Sequence, residues 1–318
     1  MGSIWRGWRF VVQARPWLGA GLAVALAACQ STPPRAPLPG AAPPPLVIAP
    51  EPAPQPRPVP RLPRIGLALG GGAARGFAHI GVIEVLEEAG IRPDLVVGTS
   101  AGSLIAALFA DGRTGAQMAE LARTMDEGTL TDWAFPTRGL IRGQALARYV
   151  RSQVSVRNIE QTRLPLGIVA ADLDSGEPVL FRRGDIGTAV RASSAVPAVF
   201  EPVRIGTHEY VDGGLVAPVP VHFARQMGAE FVIAVDISSP PAGNPTSDVM
   251  DMLLQTFAIM GQTINGFELH DADVVVRPAM AGLSSADFTA RLRAIRAGRE
   301  AALRALPALK ARLAAAMR

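Results

Sequence analysis

A chain of 318 residues with 49% hydrophobic, 18% charged and 5% aromatic residues is long enough to bury a large core and too apolar to be intrinsically disordered. One cysteine and four histidines exclude a disulfide framework and leave little material for a zinc site. The net charge of +4 comes largely from Arg6, Arg9 and Arg15; beyond residue 28, 28 basic residues face 27 acidic ones, so the charge gives a nucleic-acid partner no support.

Residues 1–28 join that basic stretch to an uncharged run from Trp17 to Ala28. The run has the length of an export-signal core and is too short to span a bilayer. It ends in Leu26-Ala27-Ala28-Cys29, which resembles the lipobox of bacterial lipoproteins. The expectation is cleavage before Cys29 and acylation of its thiol and amine. Such an anchor is stable, because each buried methylene contributes about 0.8 kcal/mol. Gln30, not aspartate, follows the cysteine, which points to the outer rather than the inner membrane of a bacterial envelope. Residues 29–63 then read as an extended tether, since positions 30–63 hold 14 of the 28 prolines. A ligand for a proline-recognition module is the alternative.

From Arg64 onward the pattern changes. Short apolar runs at Ile65–Leu69, Leu95–Val97, Leu166–Val169, Phe231–Val235 and Val274–Val276 predict buried, largely parallel strands. Helical spacing falls between them, at Ala78–Ala89, Ser103–Ala110, Gln144–Val154, Pro220–Met227 and from Ala286 to the end. This alternation predicts a layered α/β domain over 64–318, a mostly parallel sheet flanked by helices. Residues 178–212 carry more strand character and read as an antiparallel excursion or edge. Val249–Leu269 reads as a core helix, with lipid contact through Met250, Met252 and Met260 as the alternative. Residues 286–318 hold eight basic and two acidic side chains, read as a solvated face, with orientation on anionic lipid as the alternative.

Three glycine-marked sites carry the chemistry. Gly98-Thr99-Ser100-Ala101-Gly102 sits between a predicted strand and a helix, where a nucleophile elbow needs tiny residues two before and two after its serine. By composition alone such a pattern arises about 0.14 times per chain, so the strand–turn–helix context decides. Gly70-Gly71-Gly72-Ala73-Ala74-Arg75-Gly76 follows another strand, and bare amides there can face an anion. No Lys-Ser/Thr follows, which excludes a Walker loop, and Asp94 stands at the start of the next run, which disfavours a dinucleotide fold. Beside a serine elbow the loop reads as an oxyanion hole. Asp212-Gly213-Gly214 ends a strand-like run; alone it reads as a hairpin turn, and beside the other two sites as a base.

Order and spacing of the three resemble the patatin-like phospholipase family, over about Arg64 to Pro307. Arg191-Ala192-Ser193-Ser194-Ala195-Val196-Pro197, Ala171-Asp172-Leu173-Asp174-Ser175-Gly176 and the run from His79 to Gly90 add to the likeness. The resemblance implies a Ser–Asp dyad, with Ser100 as nucleophile, Asp212 as base, Gly71 and Gly72 amides as oxyanion donors and Arg75 supporting their loop. Gly70, Gly76, Gly98, Gly102, Gly213 and Gly214 complete the motifs. Ala73 stands where the family's spacing usually has glycine, and Ala217 where it often has asparagine.

The resulting expectation is an acyl hydrolase of phospholipase A or lysophospholipase type, acting on phospholipid or lysophospholipid through an acyl-enzyme. It needs no cofactor and no metal, and contacts the membrane through its anchor. His222 and His270 are available for a triad, but neither sits in a glycine-freed loop, and both read as surface or packing residues. His79 reads as structural. An acyltransferase on the same dyad and a non-catalytic envelope lipoprotein are the alternatives.

Overall fold

The computed structural model describes residues 61–318 apart from 127, 129–131, 133–137, 239, 245, 281, 284–286 and 318. The expected signal peptide, Cys29 and nearly all of the expected tether lie outside the described residues. Arg61 makes a two-toothed ion pair with Glu230 at 2.7 Å, three residues before the expected start at Arg64.

In chain order the elements are β1 (Ile65–Leu69), α1 (Ala78–Glu88), β2 (Leu95–Thr99), α2 (Ala101–Asp111), α3 (Gly115–Thr124), β3 (Gly139–Ile141) and α4 (Gln144–Gln153). There follow β4 (Leu166–Asp172), β5 (Pro178–Phe181), α5 (Ile186–Ser193), β6 (Ala198–Phe200), β7 (Val203–Ile205) and β8 (His208–Asp212). The chain closes with α6 (Val221–Gln226), β9 (Phe231–Val235), α7 (Val249–Glu268), β10 (Val274–Val276) and α8 (Arg291–Ala315).

The main sheet runs β10-β9-β1-β2-β4-β8-β7, parallel from β10 to β4 and antiparallel beyond, with β5 also paired to β4. The central strands are continuous apolar runs because both faces are covered. Leu67 and Leu69 point into a core shared with Ile80, Ile83, Ile105 and Ile295. Ala68 and Val97, one residue out of phase, join Val221, Phe223 and Ala224 of α6 on the opposite face. One layer is therefore thick and the other thin.

The segment 178–212 does form the antiparallel edge, but it also holds α5. Asp185 caps that helix through the amide of Thr188, and the buried faces of Ile186, Ala189 and Val190 seat it against the sheet. The expected core helix at Val249–Leu269 is a helix but not a core one. Of the 20 residues of α7 only Asn265 is buried, because the helix lies along the rim of a cleft and is packed from one side.

Candidate active site

The register of the sheet explains how two distant motifs meet. A strand has two edges. Ile168 and Val169 pair with β2 on one and β5 on the other; Ala170 and Ala171 pair with β5 and β8. β2 and β8 therefore share one edge of β4, running toward each other. Thr99 ends opposite Val169 and Asp212 opposite Ala170, adjacent residues of a single strand. Ser100, one residue past Thr99, arrives beside Asp212, and its Oγ donates to Asp212 Oδ2 at 2.6 Å.

Ser100 sits at φ 53°, ψ −125°, the sharp turn of an elbow. A Cβ on Gly98 would stand 2.4 Å from the Gly102 carbonyl oxygen, and one on Gly102 2.2 Å from that of Leu69. Neither position can take a side chain. The Ser100 amide donates to Ser193 Oγ at 2.8 Å, and its carbonyl accepts from the Ser103 amide and hydroxyl at 2.8 and 2.6 Å. The strained residue is thus held on both sides.

Asp212 is buried. Oδ1 accepts from the Gly214 amide at 2.7 Å, and the Asp212 amide donates to Ala195 at 3.0 Å. Burial raises its pKa from 3.8 to about 6, and the bonds from Ser100 and Gly214 hold it from rising further. The hairpin expected of Asp-Gly alone is overturned. Gly213–Leu215 is a 3-10 turn leading toward α6, and neither glycine has the positive φ a type I′ turn requires.

The two amides expected as oxyanion donors part company. Gly71 N–H is already given to Pro218 O at 2.9 Å, as Gly70 N–H is to Val235 O at 3.1 Å, so the loop is stitched down by its first two amides. Gly71 also comes close to the elbow: a Cβ there would meet that of Ser100 at 3.1 Å, a tight contact. Gly72 N–H has no partner among the described residues and lines the cleft. Ala101, first residue of α2, adds an amide with no intrahelical acceptor. Ala73 adopts φ 50°, which is why glycine is the easier residue there. Arg75 folds back so that Nε donates to Gly72 O at 3.2 Å, and burial lowers its pKa. A Cβ on Gly76 would stand 2.7 Å from that of Ala101, so this glycine lets the loop touch the elbow helix. Ala217 is fully buried and its carbonyl accepts from Thr99 Oγ1 at 2.9 Å.

The histidines stand apart from the pair. His79 is buried at 2.8 Å from Gly70 O, and burial lowers its pKa to about 4, so it is neutral and donates through Nε2. It braces the glycine loop. His222 pairs with Glu268, and His270 is exposed. Neither lines the cleft around Ser100 and Asp212, a space of about 1000 Å³. That cleft has apolar walls at Val196, Leu254, Phe257 and Met280, and a charged end where Arg277 meets Asp236 at 3.0 Å. Among the described residues no three His, Cys, Asp or Glu side chains converge as a metal site.

Ser193 is the residue whose role the motifs did not reveal. It lies in the stretch noted for its resemblance, but only the fold shows its hydroxyl between Val169 O, at 2.5 Å, and the Ser100 amide.

Comparison with known proteins identifies the family. A family model described as patatin-like phospholipase matches residues 67–225. An uncharacterized NTE family protein of Mycobacterium tuberculosis is 36% identical over 197 residues, 61% of this chain and 54% of its own length. Patatin-like phospholipase domain-containing protein 6 of Mus musculus is 36% identical over 184 residues, covering 55% of this chain and 14% of that protein. The chain spans about half the length of the mycobacterial relatives it matches. Among solved structures, VipD from Legionella pneumophila aligns over 78% of this chain and 67% of its own, with 13% identity and a TM-score of 0.44.

Proposed function

The chain belongs to the patatin-like phospholipase family, and from that premise we propose that it is a serine acyl hydrolase of membrane lipids, working through Ser100 and Asp212 without a histidine. The observation that carries this reading is the 2.6 Å bond from Ser100 Oγ to a buried carboxylate at the floor of an apolar cleft. Ser100 Oγ attacks the ester carbonyl carbon while its proton passes to Asp212 Oδ2. The oxygen that becomes negative faces the free amides of Gly72 and Ala101 at the N-terminal end of α2, where the helix dipole favours an anion. Asp212 then gives the proton to the leaving alkoxide, which departs as alcohol or lysolipid. Water, deprotonated by the same carboxylate, splits the acyl-Ser100 ester and releases the fatty acid.

An aspartate is a weak base for this work in water. Burial offsets that, since a carboxylate shifted upward by its surroundings accepts a proton more readily. The apolar walls at Val196, Leu254 and Phe257 give an acyl chain its complement, which supports phospholipid or lysophospholipid as the substrate class. Mass spectrometry of lipids incubated with the wild type and Ser100→Ala tests the proposal. Fatty acid release should fall at least about a thousandfold in the variant. Retention of release by Ser100→Ala sinks it, and transfer to added alcohols in place of free acid marks an acyltransferase.

The anchor belongs to the same proposal. Acylated Cys29 would hold the enzyme at a bacterial envelope membrane, the outer one by Gln30, with the proline-rich tether setting its range. Cys29→Ala should move the protein from the membrane to the soluble fraction on cell fractionation; an unchanged distribution removes the anchor from the account.

A further inference from the structure

Helix α7 has two opposite faces, and among the described residues only one is covered. Leu254, Phe257, Ala258 and Gly261 face the cleft. On the other side, Val249, Met252, Thr256, Ile259, Met260, Thr263 and Phe267 recur at the three- and four-residue spacing of a single stripe. Val249 is 87% exposed and Phe267 77%, and Met252, Ile259 and Met260 are exposed between them. Exposed apolar side chains are ordinary when scattered, but a continuous row marks a contact surface.

Three details fix the chemistry of what meets that row. The stripe carries no charge: Asp251 bonds the amide and hydroxyl of Ser247, and Glu268 pairs with His222, both off the stripe. Its two threonines hide their polarity, since Thr256 Oγ1 donates to Met252 O at 2.9 Å and Thr263 Oγ1 to Ile259 O at 3.3 Å. Nothing along the row would lose a hydrogen bond with water on entering hydrocarbon. Phe257 of the cleft wall is the neighbour of Leu253 and Met260 at helical spacing, and it and Leu253 are half-buried, so apolar side chains run from the stripe around the helix to the cleft that holds Ser100.

We infer that the outer face of α7 is a lipid-docking surface, lying in the interfacial layer of a membrane with the cleft mouth against the acyl chains. The inference rests on the proposed lipid hydrolysis for its occupant. A second protein seated on the row would stand across the rim that lipid must pass. At 20 residues α7 is about 30 Å long, and among the described residues no helix is long and apolar enough to cross a bilayer, so it lies along the surface. It packs on the turns Gly213–Leu215 and Leu269–Asp271, and its one buried residue, Asn265, leaves both ends of its amide without a partner among the described residues.

The test places a polarity-sensitive fluorophore at Met260→Cys in the full chain carrying Cys29→Ser, with Arg296→Cys on α8 as the control site. The vesicles are ether-linked phosphatidylcholine, which offers no ester to cleave. Without vesicles the Met260 label should emit as in water and be quenched by iodide. With vesicles it should shift to the blue, be quenched by doxyl lipids and lose roughly fivefold of its iodide quenching, while the control stays unchanged. Unchanged emission with vesicles overturns the inference. So does a label already dry without them, from a second copy if dilution reverses it and from the chain's own segment if not. A companion variant, Ile259→Asp with Phe267→Asp, should lower turnover of vesicle-borne ester about tenfold and that of a soluble short-chain ester by less than about twofold. Equal losses on both overturn the docking role. A parent inactive on both esters ends the hydrolase reading and leaves the fluorescence result to decide the docking surface.

Discussion

Asp212 is a carboxylate the fold keeps out of water, and that has a measurable cost. Its folded pKa of about 6 lies above the ordinary value of 3.8, so the folded state holds its proton more tightly than the unfolded one. The wild type therefore loses stability from this group as pH rises from about 4 through 6, and the loss is complete above that. An asparagine side chain in its place would keep both contacts, its oxygen accepting from Gly214 and its amide donating to Ser100 Oγ. We expect Asp212→Asn to be inactive yet about 2 kcal/mol more stable at pH 8, with the gain shrinking toward pH 4. Thermal melts of the two proteins across that range check it, and taking their difference removes the opposite trend from His79, whose folded pKa is lowered. At this scale the sequence was legible where glycines mark the backbone: Gly98 and Gly102 each mark an approach to another backbone that no side chain survives, and Gly71 a tight one to Ser100. It was silent on which amides stay free, because the acceptor that occupies Gly71 is Pro218, nearly 150 positions away. Ser193 was hidden for the same reason.

At the level of elements, the buried strands could be read because a strand covered on both faces has only apolar residues to show. β1, β9 and β10 run over the residues expected of them, while β2 and β4 extend further, to Thr99 and Asp172, where polar residues carry the site. α5 was read as strand because Ile186 to Val190 packs one short face, too brief for a helical period to stand out. α7 misled in another way. Its composition is that of a core helix, and only the fold shows that most of its surface is uncovered among the described residues. The tightest element contact is the crossing of α1 and α8. A Cβ on Gly298 would lie 1.9 Å from Ala78 O, and one on Gly81 2.0 Å from Ile295 O, so the backbones touch. Gly298→Ala should cost about 3 kcal/mol by forcing the helices apart. Denaturant melts measure it, and a loss below about 0.5 kcal/mol would mean the crossing gives way freely.

Across the molecule, charge and apolar surface are placed apart. Part of the positive charge of residues 286–318 is tied down on α8, where Arg299 pairs with Glu88 at 2.7 Å and Arg312 reaches the Asp273 carbonyl. The apolar row lies on α7, at the rim of the cleft. The central claim is narrower than this layout: Ser100 is activated by a carboxylate alone. The rate at which an organophosphonate forms its adduct with Ser100, followed against pH, tests it most directly. The account predicts one rise centred near pH 6, full rate in His222→Ala and His270→Ala, and a rate at least about a hundredfold lower in Asp212→Asn. An undiminished rate in Asp212→Asn, or a collapse on loss of either histidine, would contradict it.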